Sequence, residues 1–189
     1  MINPSSVAFD IDGVFADTMT LFLDIAQKEY GINWITPEDI TTYAIEDCID
    51  IDKNIINNIL KRILDGNYNA TLKPIAGAPE VLTKLGKSQK RLLFVTARPY
   101  LGPIYDWMLS ILPLKPDSIE IVTTGTFEGK SDVLLSRNIA YFVEDRLETC
   151  FRLKKAGITP VLFKQPWNRE AHPFVEVETW GDLEELIKF

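Results

Sequence analysis

Short runs rich in β-branched and aromatic residues alternate along this chain with longer stretches whose apolar positions recur every three or four residues. The first pattern suits buried strands and the second suits helices with one apolar face. Strands are predicted over residues 7–11, 91–96, 119–123, 140–144, 160–163 and 175–178. Stretches of helical spacing over 101–112, 130–136 and 147–156 separate the second to fifth of them, and Gly157 stands where a helix C-terminal glycine is expected. Strands joined by crossover helices predict an α/β fold, a doubly wound Rossmann-like parallel sheet with right-handed connections.

About 80 residues separate the first two strands, where one crossover needs about a dozen. Within this insert, residues 18–30 carry Leu21, Phe22, Ile25 and Ala26 on one face, and residues 52–64 carry Ile55, Ile56, Ile59, Leu60 and Ile63 at helical spacing. Thr36-Pro37-Glu38-Asp39 reads as an N-cap followed by proline at the first helical position, so a short third helix is expected there. The insert is therefore expected to be a small all-helical cap over residues 18–73, on a core formed by residues 1–17 and 74–189. Gly77-Ala78-Pro79 opens a helix to about Lys87 that leads back to the sheet. Residues 180–187 read as a closing helix, with Leu183, Leu186 and Ile187 on one face and acids on the other.

Charge narrows the function. The 189 residues carry 20 Lys and Arg against 27 Asp and Glu, a net charge of −7. That balance supplies no basic field for a nucleic-acid polymer or an anionic membrane. No apolar stretch approaches the roughly 20 residues of a membrane-spanning helix. The first residues, Met1-Ile2-Asn3-Pro4, lack the pattern of a secretory signal. Cys48 and Cys150, without a CxxC, suggest unpaired thiols in a reducing cytoplasm. His172, the only histidine, lies in a polar loop and is expected at the surface.

The candidate chemistry sits where four predicted strands end, at the carboxyl edge that binds ligands in open α/β sheets. The first strand runs into Phe9-Asp10-Ile11-Asp12-Gly13. Two carboxylates so close repel unless a cation or a shared proton offsets them, which points to a hard metal such as Mg²⁺. Asp-x-Asp-Gly also occurs in calcium loops and ordinary turns. The second strand delivers Thr96 to the same edge, followed by Ala97-Arg98-Pro99. A hydroxyl there can donate to an oxyanion, although taken alone it reads first as a helix cap. Lys130 opens a helix after the third strand, against the macrodipole, and is tolerated either beside anions or in solvent. The fourth strand ends in Glu144-Asp145-Arg146, and acids closing a buried apolar strand must be paired or metal-bound.

Taken in order, Asp10-Ile11-Asp12-Gly13, Thr96, Lys130 and Glu144-Asp145 resemble the four motifs of the haloacid dehalogenase-like (HAD) superfamily of phosphotransferases. The resemblance implies that Asp10 is the nucleophile, forming an aspartyl-phosphate, and Asp12 the general acid/base. It implies that Thr96 and Lys130 hold the transferring phosphoryl group. It also implies a Mg²⁺ site formed by Asp10, Asp12 through its backbone carbonyl, Asp145, and Glu144 directly or through water. Gly13, Ala97 and Arg98 would line the substrate. The insert falls where this superfamily places its C1 helical cap, with Phe15 and Asp17 on the wall near the hinge. Aromatic residues of the insert, Phe22, Tyr30, Trp34, Tyr43 and Tyr68, either stack on a base or build the core of the cap.

Within the superfamily, Asp-Gly-Val-Phe-Ala-Asp, Thr96-Ala97-Arg98-Pro99, Glu144-Asp145-Arg146 and Gln165-Pro166-Trp167-Asn168-Arg169 are similar to the 5'(3')-deoxyribonucleotidase group. Glu144-Asp145 departs from that group's common Asp-Asp and is also the form of phosphoglucomutase-like members. The expected function is Mg²⁺-dependent hydrolysis of a nucleoside monophosphate or another small phosphorylated metabolite. A phosphomutase or a phosphoglycolate-type phosphatase is the alternative. A receiver-like signalling domain also combines acids, Thr and Lys, but Asp12, a second acid able to activate water, and the large insert argue against it.

Overall fold

The computed structural model describes residues 1–88 and 91–188. Six parallel strands form one sheet: β1 (Val7–Phe9), β2 (Leu92–Thr96), β3 (Ile119–Thr123), β4 (Tyr141–Glu144), β5 (Thr159–Phe163) and β6 (Val175–Val177), in the order β3-β2-β1-β4-β5-β6. The α/β, doubly wound reading therefore holds. The order reverses direction at β1, so the first strand lies at the centre, and its carboxyl end opens beside those of β2 and β4.

Successive side chains of a strand point to opposite faces, and the core divides accordingly. Val7, Phe9, Leu92, Phe94 and Val143 pack on one side against α3 (Ala78–Ser88), α4 (Gly102–Ile111) and α7 (Trp180–Leu186). Ala8, Leu93, Val95 and Phe142 pack on the other against Leu134 of α5 (Lys130–Ser136) and Leu153 of α6 (Leu147–Lys155). Every residue of β2 is buried, as a parallel strand covered on both faces requires.

β1 is shorter than its apolar run. The chain turns after Phe9, although the Asp10 N–H still donates to the Val143 carbonyl at 2.9 Å. The insert leaves and rejoins the core through a narrow neck, in which the Asp17 N–H donates to the Lys73 carbonyl at 2.9 Å and the Ile75 N–H to the Phe15 carbonyl at 2.7 Å. Phe15 is not on a cap wall. It is fully buried against Phe94 and Trp107, because the turn after Asp12 folds it back onto the sheet.

The insert holds two α-helices, α1 (Thr18–Tyr30) and α2 (Lys53–Asp65). Asp17 and Asp52 cap their first turns by accepting backbone N–H bonds from Thr20 and Asn54, and Gly31 and Gly66 end them in left-handed conformation. Leu21, Phe22 and Ile25 of α1 face Ile56, Ile59 and Ile63 of α2, all of them buried. The third helix reduces to a single 3₁₀ turn, Pro37–Asp39, closed by a Thr36–Asp39 capping box. Trp34, 64% exposed, is not part of the core of the insert. His172 is more enclosed than expected: its ring stacks on Phe174 and its Nε2 lies 3.1 Å from Glu176 Oε2. Both cysteines are free, and among the described residues no helix is long and apolar enough to cross a membrane.

Candidate active site

The carboxyl ends of β1, β2 and β4, with the first residue of α5, bring together side chains far apart in sequence. Lys130 is fully buried, and its Nζ donates to Asp10 Oδ2 at 2.7 Å and to Glu144 Oε2 at 2.8 Å. An ammonium at a helix start, costly by itself, is thereby held between two anions. Burial alone would lower its pKa, but the charges of Asp10 and Glu144 outweigh that and raise it, so Lys130 stays protonated. Glu144 has both oxygens engaged, since Oε1 also accepts the backbone N–H bonds of Asp145 and Arg146 at 3.1 and 3.0 Å. Burial pushes its carboxyl up, and Lys130 more than reverses this, leaving it below its ordinary value.

Asp10 and Asp145 have the opposite balance. Burial, followed for Asp145 by repulsion from Glu144 and Asp10, raises the Asp145 carboxyl well above the usual range. Burial likewise raises Asp10, with only partial relief from Lys130. Oxygens of Asp10, Glu144 and Asp145 lie within 4.8 Å of one another, three carboxylates against one ammonium. Asp145 Oδ2 accepts from Trp167 Nε1 at 2.9 Å, whereas its Oδ1 is buried with no hydrogen-bond partner. An orphaned carboxylate oxygen in an over-acidic, all-oxygen cluster fits a hard divalent cation.

Asp12 faces away from that cluster. Arg98 grips it with both arms, Nε donating to Oδ2 at 2.8 Å and Nη2 to Oδ1 at 2.7 Å, while Thr18 Oγ1 donates to Oδ1 at 2.5 Å. Burial would raise this carboxyl, but the charge and hydrogen bonds of Arg98 hold it below its ordinary value. Arg98 Nη1 reaches the Ile63 carbonyl of α2 at 3.3 Å, so one guanidinium ties the second strand's loop to both Asp12 and the insert. Its forks are thus occupied by protein. Thr96, buried at the end of β2, accepts the Arg98 backbone N–H at 3.2 Å and keeps its hydroxyl proton to donate.

Gly13 lies against the acidic cluster in left-handed conformation, φ +73°. A Cβ there would stand 2.2 Å from Asp145 Oδ2, so no larger residue fits without displacing that carboxylate. The segment after β5 closes the same corner: Gln165 Nε2 donates to the Gly13 carbonyl at 2.7 Å, and Asn168 Nδ2 to the Asp145 carbonyl at 2.7 Å. The segment around Trp167 is therefore a structural part of the site.

These groups form the floor of a cavity of about 360 Å³ whose roof is the insert. Asp10, Asp12, Gly13, Thr96, Ala97, Arg98 and Asp145 line it from the sheet edge; Met19, Phe22, Leu60 and Leu64 line it from the helices of the insert. Phe127, after β3, and Glu46, in a 3₁₀ turn of the insert, also line it and carried no sequence signal, being an isolated aromatic and one acid among many. Of the insert's aromatic residues, Phe22 and Tyr43 reach the cavity. Tyr30 instead donates to Asn58 at 3.0 Å.

A family model described as 5' nucleotidase, deoxy (pyrimidine), cytosolic type C protein matches residues 3–189. The 5'(3')-deoxyribonucleotidases of Bacillus subtilis (strain 168) and of Bacillus phage SPbeta are each 25% identical over 185 residues, 96% of this chain and 97% of theirs. The crystal structure of a HAD-superfamily hydrolase from Ehrlichia chaffeensis shares the fold with a TM-score of 0.54 at 18% identity, covering 98% of this chain and 97% of that one.

Proposed function

This chain belongs to the 5' nucleotidase, deoxy (pyrimidine), cytosolic type C family of HAD phosphatases, and we propose that it hydrolyses nucleoside 5'(3')-monophosphates through an aspartyl-phosphate with Mg²⁺ as its metal. The observation that carries the reading is the separation of two aspartates two residues apart into different environments. Asp10 faces Lys130 and the metal-binding cluster, while Asp12 is clasped by Arg98 on the other side of the turn.

In this reading Asp10 attacks phosphorus in line, forming the O–P bond of the aspartyl-phosphate as the bond to the leaving oxygen breaks. Asp12, which Arg98 holds ionised in the free site, would take up a proton from the incoming phosphate monoanion, give it to that oxygen, and then take one from a water that attacks phosphorus as the Asp10 O–P bond breaks, releasing phosphate and regenerating Asp10. Thr96 O–H and Lys130 N–H donate to the oxygens of the transferring group. Gly13, Ala97 and Arg98 border the substrate, with Arg98 held to Asp12 rather than free. Asp10, Asp145 and the Asp12 backbone carbonyl would hold the metal, and Glu144, its oxygens already engaged, would brace Lys130 and the turn after β4. The cation would supply positive charge that offsets repulsion between a carboxylate and an anionic phosphate.

The helical insert, residues 18–73, would act as a cap over a core of residues 1–17 and 74–189, excluding water and contacting the leaving group. The narrow neck at Asp17 and Lys73 supports that division. The two free cysteines support a cytoplasmic setting.

The test is phosphate release from p-nitrophenyl phosphate and from ribo- and deoxyribonucleoside monophosphates and sugar phosphates, with Mg²⁺ or EDTA, beside Asp10→Asn. Metal-dependent turnover that peaks on deoxynucleotides and is lost in Asp10→Asn is the expected result. Preference for a sugar phosphate, or transfer of phosphate between sugar positions, would replace the nucleotidase reading with that of a mutase.

A further inference from the structure

The charges around the cavity are unevenly provided. Among the described residues that line it, Asp10, Asp12, Asp145 and Glu46 are acidic and Arg98 alone is basic. Arg98 has no spare charge to offer, since its fork holds both oxygens of Asp12. Lys130 lies beneath the floor, held by Asp10 and Glu144. Arg146 borders a neighbouring recess, with its guanidinium against the rings of Phe127 and Tyr43 at 4.0 and 4.9 Å from their centroids, and it is paired with Glu148. Arg98 and Lys130 are therefore committed to the end where one phosphate reacts, and Arg146 pairs with Glu148 outside the cavity, behind the rings of Phe127 and Tyr43.

Apart from the hydroxyls of Thr18, Thr96 and Tyr43, the remainder of the wall is apolar or aromatic, with Met19, Phe22, Leu60, Leu64, Phe127 and Trp167. Glu46, an exposed residue, is the one charged residue that the insert contributes to the lining, and among the described residues no ion pair engages it. A second phosphate or a carboxylate on the leaving group would enter an apolar chamber without a counter-charge and beside this like charge. An uncharged leaving group bearing N–H or O–H donors would lose nothing there and would find in Glu46 an acceptor.

We propose that Glu46 is a specificity-determining residue, which with the cation-free wall restricts the enzyme to monophosphates whose leaving group carries no second anion. The inference rests on the phosphatase reading above and deepens it, because it sets nucleoside monophosphates apart from nucleoside bisphosphates and from phosphorylated acids such as phosphoglycolate.

The experiment compares a deoxynucleoside 5'-monophosphate with the corresponding 3',5'-bisphosphate as substrates, and as competitors of p-nitrophenyl phosphate, in the metal-loaded protein. Wild type is expected to favour the monophosphate by roughly tenfold or more in kcat/KM and in competition at low salt. Glu46→Gln should shrink that ratio several-fold, Glu46→Lys further, and added salt should shrink it in wild type. Glu38→Gln, an exposed acid of the insert that does not line the cavity, should leave the ratio as in wild type. Equal handling of the two nucleotides by wild type, or a ratio that responds to Glu46 no more than to Glu38, would overturn this inference while leaving the phosphatase intact. Absence of p-nitrophenyl phosphate turnover would overturn the phosphatase reading, and this inference with it.

Discussion

Arg98 and Asp12, 86 positions apart in the sequence, meet in a two-pronged ion pair of 2.8 and 2.7 Å, and the same guanidinium reaches the Ile63 carbonyl of the insert. The geometry fixes the direction of the Asp12 carboxyl and links it to the position of α2. Planar, bidentate pairing is specific to arginine.

Removing the clasp should therefore act on catalysis more than on folding. Arg98→Ala is expected to lower kcat by roughly a hundredfold, the low end of what general acid–base catalysis contributes. Arg98→Lys, which keeps the charge but loses the fork, should recover part of it. Burial would then raise the Asp12 carboxyl unopposed, so the limb of the pH–rate profile that Asp12 sets should move to higher pH in Arg98→Ala. An unchanged limb in steady-state rates measured across pH would remove Arg98 from this role.

Lys130 is the structural keystone of the floor. Lys130→Met leaves Asp10 and Glu144 buried without their shared partner, and urea unfolding should show a loss of about 3–5 kcal/mol. Added divalent metal should restore part of that loss, since it supplies positive charge to the same carboxylates. A variant as stable as wild type would mean that the acids take up protons at little cost.

Metal binding should compete with protons. Asp10 and Asp145 have folded pKa values raised above the ordinary 3.8, so without metal their contribution to stability falls as pH rises from that value through the folded pKa, where the buried carboxyls must ionise. Asp12 and Glu144, with lowered values, contribute stability that is present above their ordinary pKa and lost as pH falls through the folded one. The increase in Tm produced by Mg²⁺ should therefore be larger near pH 7.5 than near pH 5, because fewer protons must be displaced. Thermal unfolding at both pH values, with Mg²⁺ and with EDTA, measures it; an equal increment would place the metal elsewhere.

Trp167 holds one oxygen of Asp145 and leaves the other free. Trp167→Phe keeps the ring but removes the N–H, and metal affinity should fall by about 10- to 100-fold, as for other groups that orient a ligand. Titration calorimetry with Mg²⁺ gives the comparison, and unchanged affinity would mean that Asn168 and the chain turn suffice to orient Asp145.

The order of strands and helices, the place and helical nature of the insert, and the acids, Thr96 and Lys130 at the strand ends can all be read from the residue pattern. These were legible because each is local: strand and helix periods differ, and a polar group closing an apolar run marks a sheet edge. Local patterns specify which face is buried, not which side chain meets which across the sheet. Only the order β3-β2-β1-β4-β5-β6 and the turn after Phe9 decided that Lys130 bridges Asp10 and Glu144, that Arg98 holds Asp12, and that Phe15 joins the core. Glu46 and Phe127 became part of the site for the same reason. Their positions depend on how the insert folds over the sheet edge, where packing of α1 on α2 and the neck at Asp17 set a geometry that sequence spacing does not carry.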